Sequence, residues 1–176
     1  MLAISTVGCS SAGTAARSSG GLHVVAAENF WGSIAAQLGG RRVQVHSIIT
    51  NPSTDPHSYE PTPQDARTVA GAQLAILNGI GYDEWAPRLL SASPAGGRVV
   101  LNVGDVLGLH LGDNPHQWYS PSAVHRVIAA IVTDYDRLAP ADSAYFARQQ
   151  RGFEAAGLAR YDRLRAEIRA RYAGVP

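Results

Sequence analysis

The stretch Val43-Gln44-Val45-His46-Ser47-Ile48-Ile49 runs directly into Asn51-Pro52-Ser53-Thr54-Asp55-Pro56-His57-Ser58-Tyr59-Glu60-Pro61-Thr62-Pro63. The first seven residues alternate early and are rich in β-branched side chains, which predicts a strand. The thirteen that follow are turn formers around one histidine, with proline on its amino side to stiffen the backbone. Thr62-Pro63-Gln64-Asp65 then has the outline of a capping box with proline in the first turn, so the loop ends by starting a helix. Strand, stiff histidine loop and helix in succession are the unit from which a parallel α/β sheet is built. A second segment repeats the grammar: Asp113-Asn114-Pro115-His116-Gln117-Trp118-Tyr119-Ser120-Pro121 again has proline before histidine and a hydroxyl residue before the proline that opens a helix.

Outward from these loops, the rest of the chain alternates in the same way. Leu22 to Ala27, Ala72 to Leu77 and Arg98 to Val103 read as further strands. Glu28 to Leu38, Pro63 to about Ala70, about Tyr82 to Leu90 and Pro121 to Leu138 read as helices, the last with Val124, Val127, Ile128, Ile131, Tyr135 and Leu138 on one stripe. The segment between the fourth strand and the second histidine loop reads as irregular. The expected fold is therefore α/β, a four-stranded mainly parallel sheet flanked by helices. Both histidine loops follow strands, which places them at the carboxyl edge, where open α/β sheets hold ligands. From Asp142 to Tyr172 the pattern predicts one long helix of about 45 Å, more than a small sheet needs, weakened at Gly152 and Gly157.

Composition narrows the function. A chain of 176 residues with net charge +1 has no electrostatic reason to bind nucleic acid. All its basic residues are arginine, which we read as coding bias. No stretch approaches the ~18 apolar residues of a membrane span. The single cysteine, Cys9, excludes an internal disulfide and a cysteine-based zinc site. Its setting, Val7-Gly8-Cys9-Ser10-Ser11-Ala12-Gly13, is similar to the end of a bacterial lipoprotein signal, although Met1 to Gly8 carries no basic residue and is short for an apolar core. Residues 1–21 are thus expected to be a partial signal and linker, with lipid anchoring on Cys9 as the implied attachment.

Neutral imidazole is a good ligand for zinc, manganese and neighbouring ions, so His57 and His116 are the candidate metal ligands. The bland alternative is a pair of loop histidines bonded to backbone. Asp55, Glu60 and Asp113 are candidate outer carboxylates or ordinary loop acids. His23 and His46 are expected to be structural, His125 solvated and His110 a weak candidate. Gly79-Ile80-Gly81 lacks the rest of a dinucleotide fingerprint, with Glu84 where a third glycine belongs.

Taken together these motifs resemble a family. Asp55-Pro56-His57-Ser58-Tyr59-Glu60-Pro61 and Asn114-Pro115-His116-Gln117-Trp118-Tyr119 are similar to the two amino-terminal ligand motifs of zinc- and manganese-binding solute receptors of ABC transporters. Asn78-Gly79-Ile80-Gly81-Tyr82-Asp83-Glu84-Trp85 is similar to the turn between them. The resemblance covers nearly everything from Leu22 onward. It implies two α/β lobes joined by a long helix, with the metal between them and further His, Glu or Asp ligands from a second lobe that this sequence does not contain. Residues 22–139 then correspond to the metal-binding lobe and 140–176 to the interlobe helix. The implied role is an extracytoplasmic receptor handing zinc, or manganese, to an ABC transporter permease, without enzymatic chemistry. Two imidazoles alone imply weak binding. The rival readings are a non-functional or protein-interaction remnant and a zinc-dependent hydrolase, the latter without an H-E-x-x-H pair to support it.

Overall fold

The computed structural model describes residues 21–174; Cys9 and its surroundings lie outside them. Four strands, β1 (Leu22–Glu28), β2 (Val43–Ile49), β3 (Leu74–Leu77) and β4 (Val99–Asn102), form one sheet in the order β2-β1-β3-β4. Every neighbouring pair is parallel. The helices between them are α1 (Asn29–Gly39), α2 (Pro63–Ala70) and α3 (Trp85–Ala92); α4 (Val103–Leu107) and α5 (Pro121–Leu138) follow β4.

Strand side chains alternate between two cores, as they must when a parallel sheet is covered on both faces. Val24, Ala26, Leu74, Ile76 and Leu101 face α1, α5 and α6 (Ser143–Phe153), around buried Trp31, Leu38, Ile128, Tyr135 and Phe146. The Tyr135 hydroxyl, far from solvent, donates to the Ala35 carbonyl of α1 at 3.0 Å and ties the two helices together. Val25, Ala27, Ala75 and Leu77 face α2 and α3, where Val69, Trp85 and Ala86 close two smaller clusters.

The order of strands sets the site. From β1 the chain goes to β2 on one side, and β3 then returns to the other side of β1. The connections diverge at the carboxyl ends of β1 and β3, and that is where open sheets leave a crevice. The first histidine loop follows β2, the Asn78–Gly81 turn follows β3, and the second histidine loop follows β4 and α4.

Four details differ from the sequence expectation. The segment after β4 is not irregular: Asn102 caps α4, its Oδ1 accepting from the Asp105 amide at 3.4 Å, and left-handed Gly108 ends it. Helix α3 starts at Trp85 rather than Tyr82, because residues 79–81 all have positive φ and spend the preceding residues in a turn. The long helix is not one α-helix: a π segment, Glu154–Leu158, separates α6 from α7 (Ala159–Tyr172). It begins just after Gly152 and contains Gly157, the two glycines that weaken that stretch. His23 and His46, expected to serve the structure, are exposed on one face of adjacent strands and line an open polar groove with Gln44 and Arg67.

Beyond the π segment the helix leaves the lobe. No residue of α7 is buried, and Tyr161, Leu164, Ile168 and Tyr172 are each about half exposed, at 46%, 54%, 50% and 59%. Among the described residues no helix is long and apolar enough to cross a membrane.

Candidate metal centre

His57 sits in a short 3-10 turn, Pro56–Ser58, that its own loop builds. The Asp55 carboxylate accepts the His57 amide at 3.0 Å and the Ser58 hydroxyl at 3.0 Å. These two bonds hold the Asp55 carboxyl below its ordinary range. Downstream the capping box is complete: the Thr62 hydroxyl oxygen accepts the Asp65 amide at 3.3 Å, and Asp65 Oδ2 accepts the Thr62 amide at 2.7 Å. Tyr59 adds a hydroxyl bond of 2.9 Å to the same carboxylate. The loop is fastened at both ends, and its imidazole projects at the exposed edge.

His116 is held differently. Asn114 Oδ1 accepts the His116 amide at 2.9 Å and lies 2.8 Å from His116 Nδ1. The amide contact identifies that atom as the oxygen, so Nδ1 must carry the proton and donate to it. The Pro115 carbonyl accepts from Asn78 Nδ2 at 3.1 Å, and Asn78 Oδ1 accepts the Trp31 indole N–H at 2.9 Å. A buried chain thus runs from α1 through the end of β3 to the second histidine loop. Ser120, expected to cap α5, makes no capping bond; it lies 3.2 Å from the Ser122 hydroxyl instead.

Between the two loops stands the turn after β3. Gly79, Ile80 and Gly81 have φ of +77°, +46° and +83°. A side chain at Gly79 would collide with Asn102, and positive φ is strained for β-branched Ile80. Asp83 holds the turn by accepting the Asn78 and Gly79 amides at 2.7 and 2.8 Å. The product is a Gly81 carbonyl aimed at His57, 3.2 Å from Nδ1. A carbonyl only accepts, so Nδ1 of His57 also carries the proton.

Both imidazoles therefore have Nδ1 engaged, and among the described residues no hydrogen bond engages the Nε2 of either. This is how a metal-binding histidine is prepared: one nitrogen donates to an oxygen, the other keeps its lone pair. The rings flank Tyr82, with centroid distances of 5.0 Å for His57 and 5.8 Å for His116. Trp118 stacks on Phe30 of α1 at 3.8 Å and touches both Tyr82 and His116, so an aromatic wall backs the pair.

The other sequence candidates stay out of the pair. Asp113 accepts the amide of exposed His110 at 2.8 Å, and Glu60 and His125 are exposed. Among the described residues no group of three or more His, Cys, Asp or Glu side chains is arranged to hold a metal ion. Sequence reasoning missed the buried floor, formed by Glu28, Asn78 and Asp83, each at most 2% exposed. Asp83 and Asn78 bracket the glycine turn that the sequence singled out; Glu28, expected to open the first helix, instead closes β1.

Comparisons with known proteins place the fold in a family. The family model described as "Zinc-uptake complex component A periplasmic" matches residues 24–176. This chain belongs to that family of metal-binding solute receptors. Its members are transport receptors rather than enzymes, and they work outside the cytoplasm. The manganese-binding lipoprotein MntA of Halalkalibacterium halodurans is 30% identical over 138 residues, 76% of this chain and 46% of that protein. The metal ABC transporter substrate-binding lipoprotein SsaB of Streptococcus sanguinis is 34% identical over 95 residues, 51% of this chain and 30% of that one. Among solved structures, FpvC from Pseudomonas aeruginosa in complex with Mn2+ superposes with a TM-score of 0.74 at 26% identity, covering 89% of this chain and 57% of that one. The metal-dependent lipoprotein YcdH from Bacillus subtilis gives 0.68 at 25% identity, over 76% and 51%. The chain spans about half the length of the curated relative MntA. The fold described above is one lobe of the two-lobed receptor architecture, with its long carboxyl-terminal helix.

Proposed function

We propose that this chain is the amino-terminal metal-binding lobe of an extracytoplasmic receptor that captures a divalent transition-metal ion, zinc or manganese, as cargo for an ABC importer. His57 and His116 are the ligands, each through Nε2. Residues 22–139 form the lobe, α6 packs against it, and α7 beyond the π segment leads away toward a second set of donors. The observation that carries the reading is the matched state of the two imidazoles: each has Nδ1 fixed by an oxygen, and both flank the ring of Tyr82 at the carboxyl edge of the sheet.

The donor set fits a cargo site in half. Imidazole nitrogen suits zinc and tolerates manganese. Two imidazoles leave at least two positions of a tetrahedral ion to water and bring no negative charge, so this lobe alone binds weakly and lets the ion go. The exposed stripe of α7, Tyr161, Leu164, Ile168 and Tyr172, supports a further covering element in the working receptor. A permease of an ABC transporter is the expected recipient.

The test is a zinc titration of the chain with His57→Ala and His116→Ala in parallel. Weak binding by the parent chain, abolished in each single variant, is the expected result. Unchanged binding in both variants overturns the assignment.

A further inference from the structure

The central strand of the sheet ends in a carboxyl that the fold does not use. Glu28 closes β1, pairs with Ile49 of β2 in the ladder and stands at the N-cap of α1 without giving the helix a side-chain bond. Its side chain is 2% exposed, and neither Oε1 nor Oε2 has a hydrogen-bond partner among the described residues. Burying such a group without partners is costly, and proteins retain it where its protonation has a use.

Its position suggests the use. Glu28 lies at the switch point of the sheet, flanked by the strands that lead into the His57 loop and the Gly81 turn. The titratable groups around this region come from three elements. The turn after β3 brings Asp83, whose charge acts on Glu28, and Tyr82, on which Glu28, Asp55 of the first loop and Tyr119 of the second act; His57 and His116 reach the region through their contacts with the Tyr82 ring. Helix α1 has no charged side chain of its own. Asp83 is committed as an acceptor, because two backbone amides hold its carboxylate. Glu28 is the buried acid left free to carry a proton.

We propose that Glu28 is the proton-exchange partner of the metal site: protonated while the lobe is empty, it releases its proton when a divalent cation seats on His57 and His116. The inference rests on the metal-site reading above. The Glu28 carboxyl stands at about 9, raised first by burial and second by the Asp83 charge, so it is uncharged at neutral pH. A cation nearby favours the charged form, and the buried carboxylate then supplies negative charge that two imidazoles do not. The carboxyl O–H bond breaks, its electron pair stays on the carboxylate and the proton passes to buffer; no oxidation state changes. Cation uptake then strengthens with pH and release is favoured by acid.

The experiment is infrared difference spectroscopy of the chain with and without excess zinc chloride at pH 7.5, with proton release counted by calorimetry in two buffers of different ionisation enthalpy. The expected result is loss of a protonated-carboxyl carbonyl band on zinc addition. With it, the parent chain should release close to one proton more than Glu28→Gln. A band unchanged by bound zinc, or equal proton counts, overturns the inference and leaves the metal site standing. No zinc binding by the parent chain overturns the metal-site reading and this inference with it. The infrared measurement needs no variant, so it decides even if Glu28→Gln folds poorly.

Discussion

The two histidine loops share a sequence grammar and differ in what holds them. The first is fastened by its own residues, through Asp55 at one end and the Thr62–Asp65 box at the other, but borrows the orientation of its ring from the Gly81 carbonyl. The second orients its own ring through Asn114, but borrows its position from Asn78, whose side chain reaches across to the Pro115 carbonyl. Both borrowings come from the same turn after β3. Two loops remote in sequence are thereby registered on one strand end, and the pairing of the two imidazoles is a property of that turn as much as of the histidines.

The floor under the turn gives the largest expected effect. Folding lifts the Glu28 carboxyl from 4.5 to about 9. Below pH 4.5 it is protonated in both states and its ionisation adds no cost; between 4.5 and 9 the unfolded chain gives up the proton and the folded chain does not. This contribution to stability therefore falls as pH rises through that window. At pH 7 the linkage amounts to about 3 kcal/mol. Glu28→Gln, which cannot ionise, is expected to raise the melting temperature at pH 7–8 and to flatten its decline between pH 5 and 9. Denaturation curves across that range check it; a variant with the parent's slope would mean that the floor is not where the acid titrates.

Asn78→Ala strikes the borrowing directly. It strands the buried Trp31 indole N–H and frees the Pro115 carbonyl, at an expected cost of about 2 kcal/mol in unfolding free energy. If the comparison is right, zinc affinity falls through a loosened His116 loop while the amide of His57 keeps its protection from hydrogen exchange. Equal loss of protection in both loops would say that they are not separately anchored.

How far the sequence could reach follows from the same contrast. Local devices were readable: the Thr62–Asp65 box, proline before each histidine, the stripe of α5 and the strand ends that put both loops on one edge. The histidine pair was legible because its grammar is confined to a few consecutive residues. The floor was not, since Glu28, Asn78 and Asp83 acquire meaning only when β1 and β3 lie side by side. Glu28 in particular read as the first turn of a helix, where an acid is ordinary. The turn at Tyr82 and the short α4 were missed for a related reason: three consecutive positive φ values and an Asn102 cap are decided by how tightly Gly79 packs on Asn102.

A smaller effect separates orientation from position. Asn114→Ala removes the acceptor that fixes His116 Nδ1 and leaves the Asn78–Pro115 bond in place. Loss of such an outer partner typically costs roughly 10–100-fold in metal affinity, with little change in melting temperature because the loop is exposed. The first loop offers no such substitution, as its ring leans on a backbone carbonyl.

The smallest effect tests whether equal grammar means equal structure. Thr62 and Ser120 occupy matching places, each before the proline that opens a helix, yet only Thr62 accepts the amide of the third helical residue. Thr62→Ala should therefore cost about 1 kcal/mol, the usual value of a cap, and also loosen Asp65, whose carboxylate Tyr59 and Thr62 share. Ser120→Ala should stay within about 0.5 kcal/mol, as for an ordinary surface substitution. Chemical denaturation of the two variants beside the parent reads both numbers. Equal losses would mean that Ser120 caps α5 in solution, and the second loop would then be fastened at its far end as firmly as the first, leaving the ring's own anchor as the difference between them.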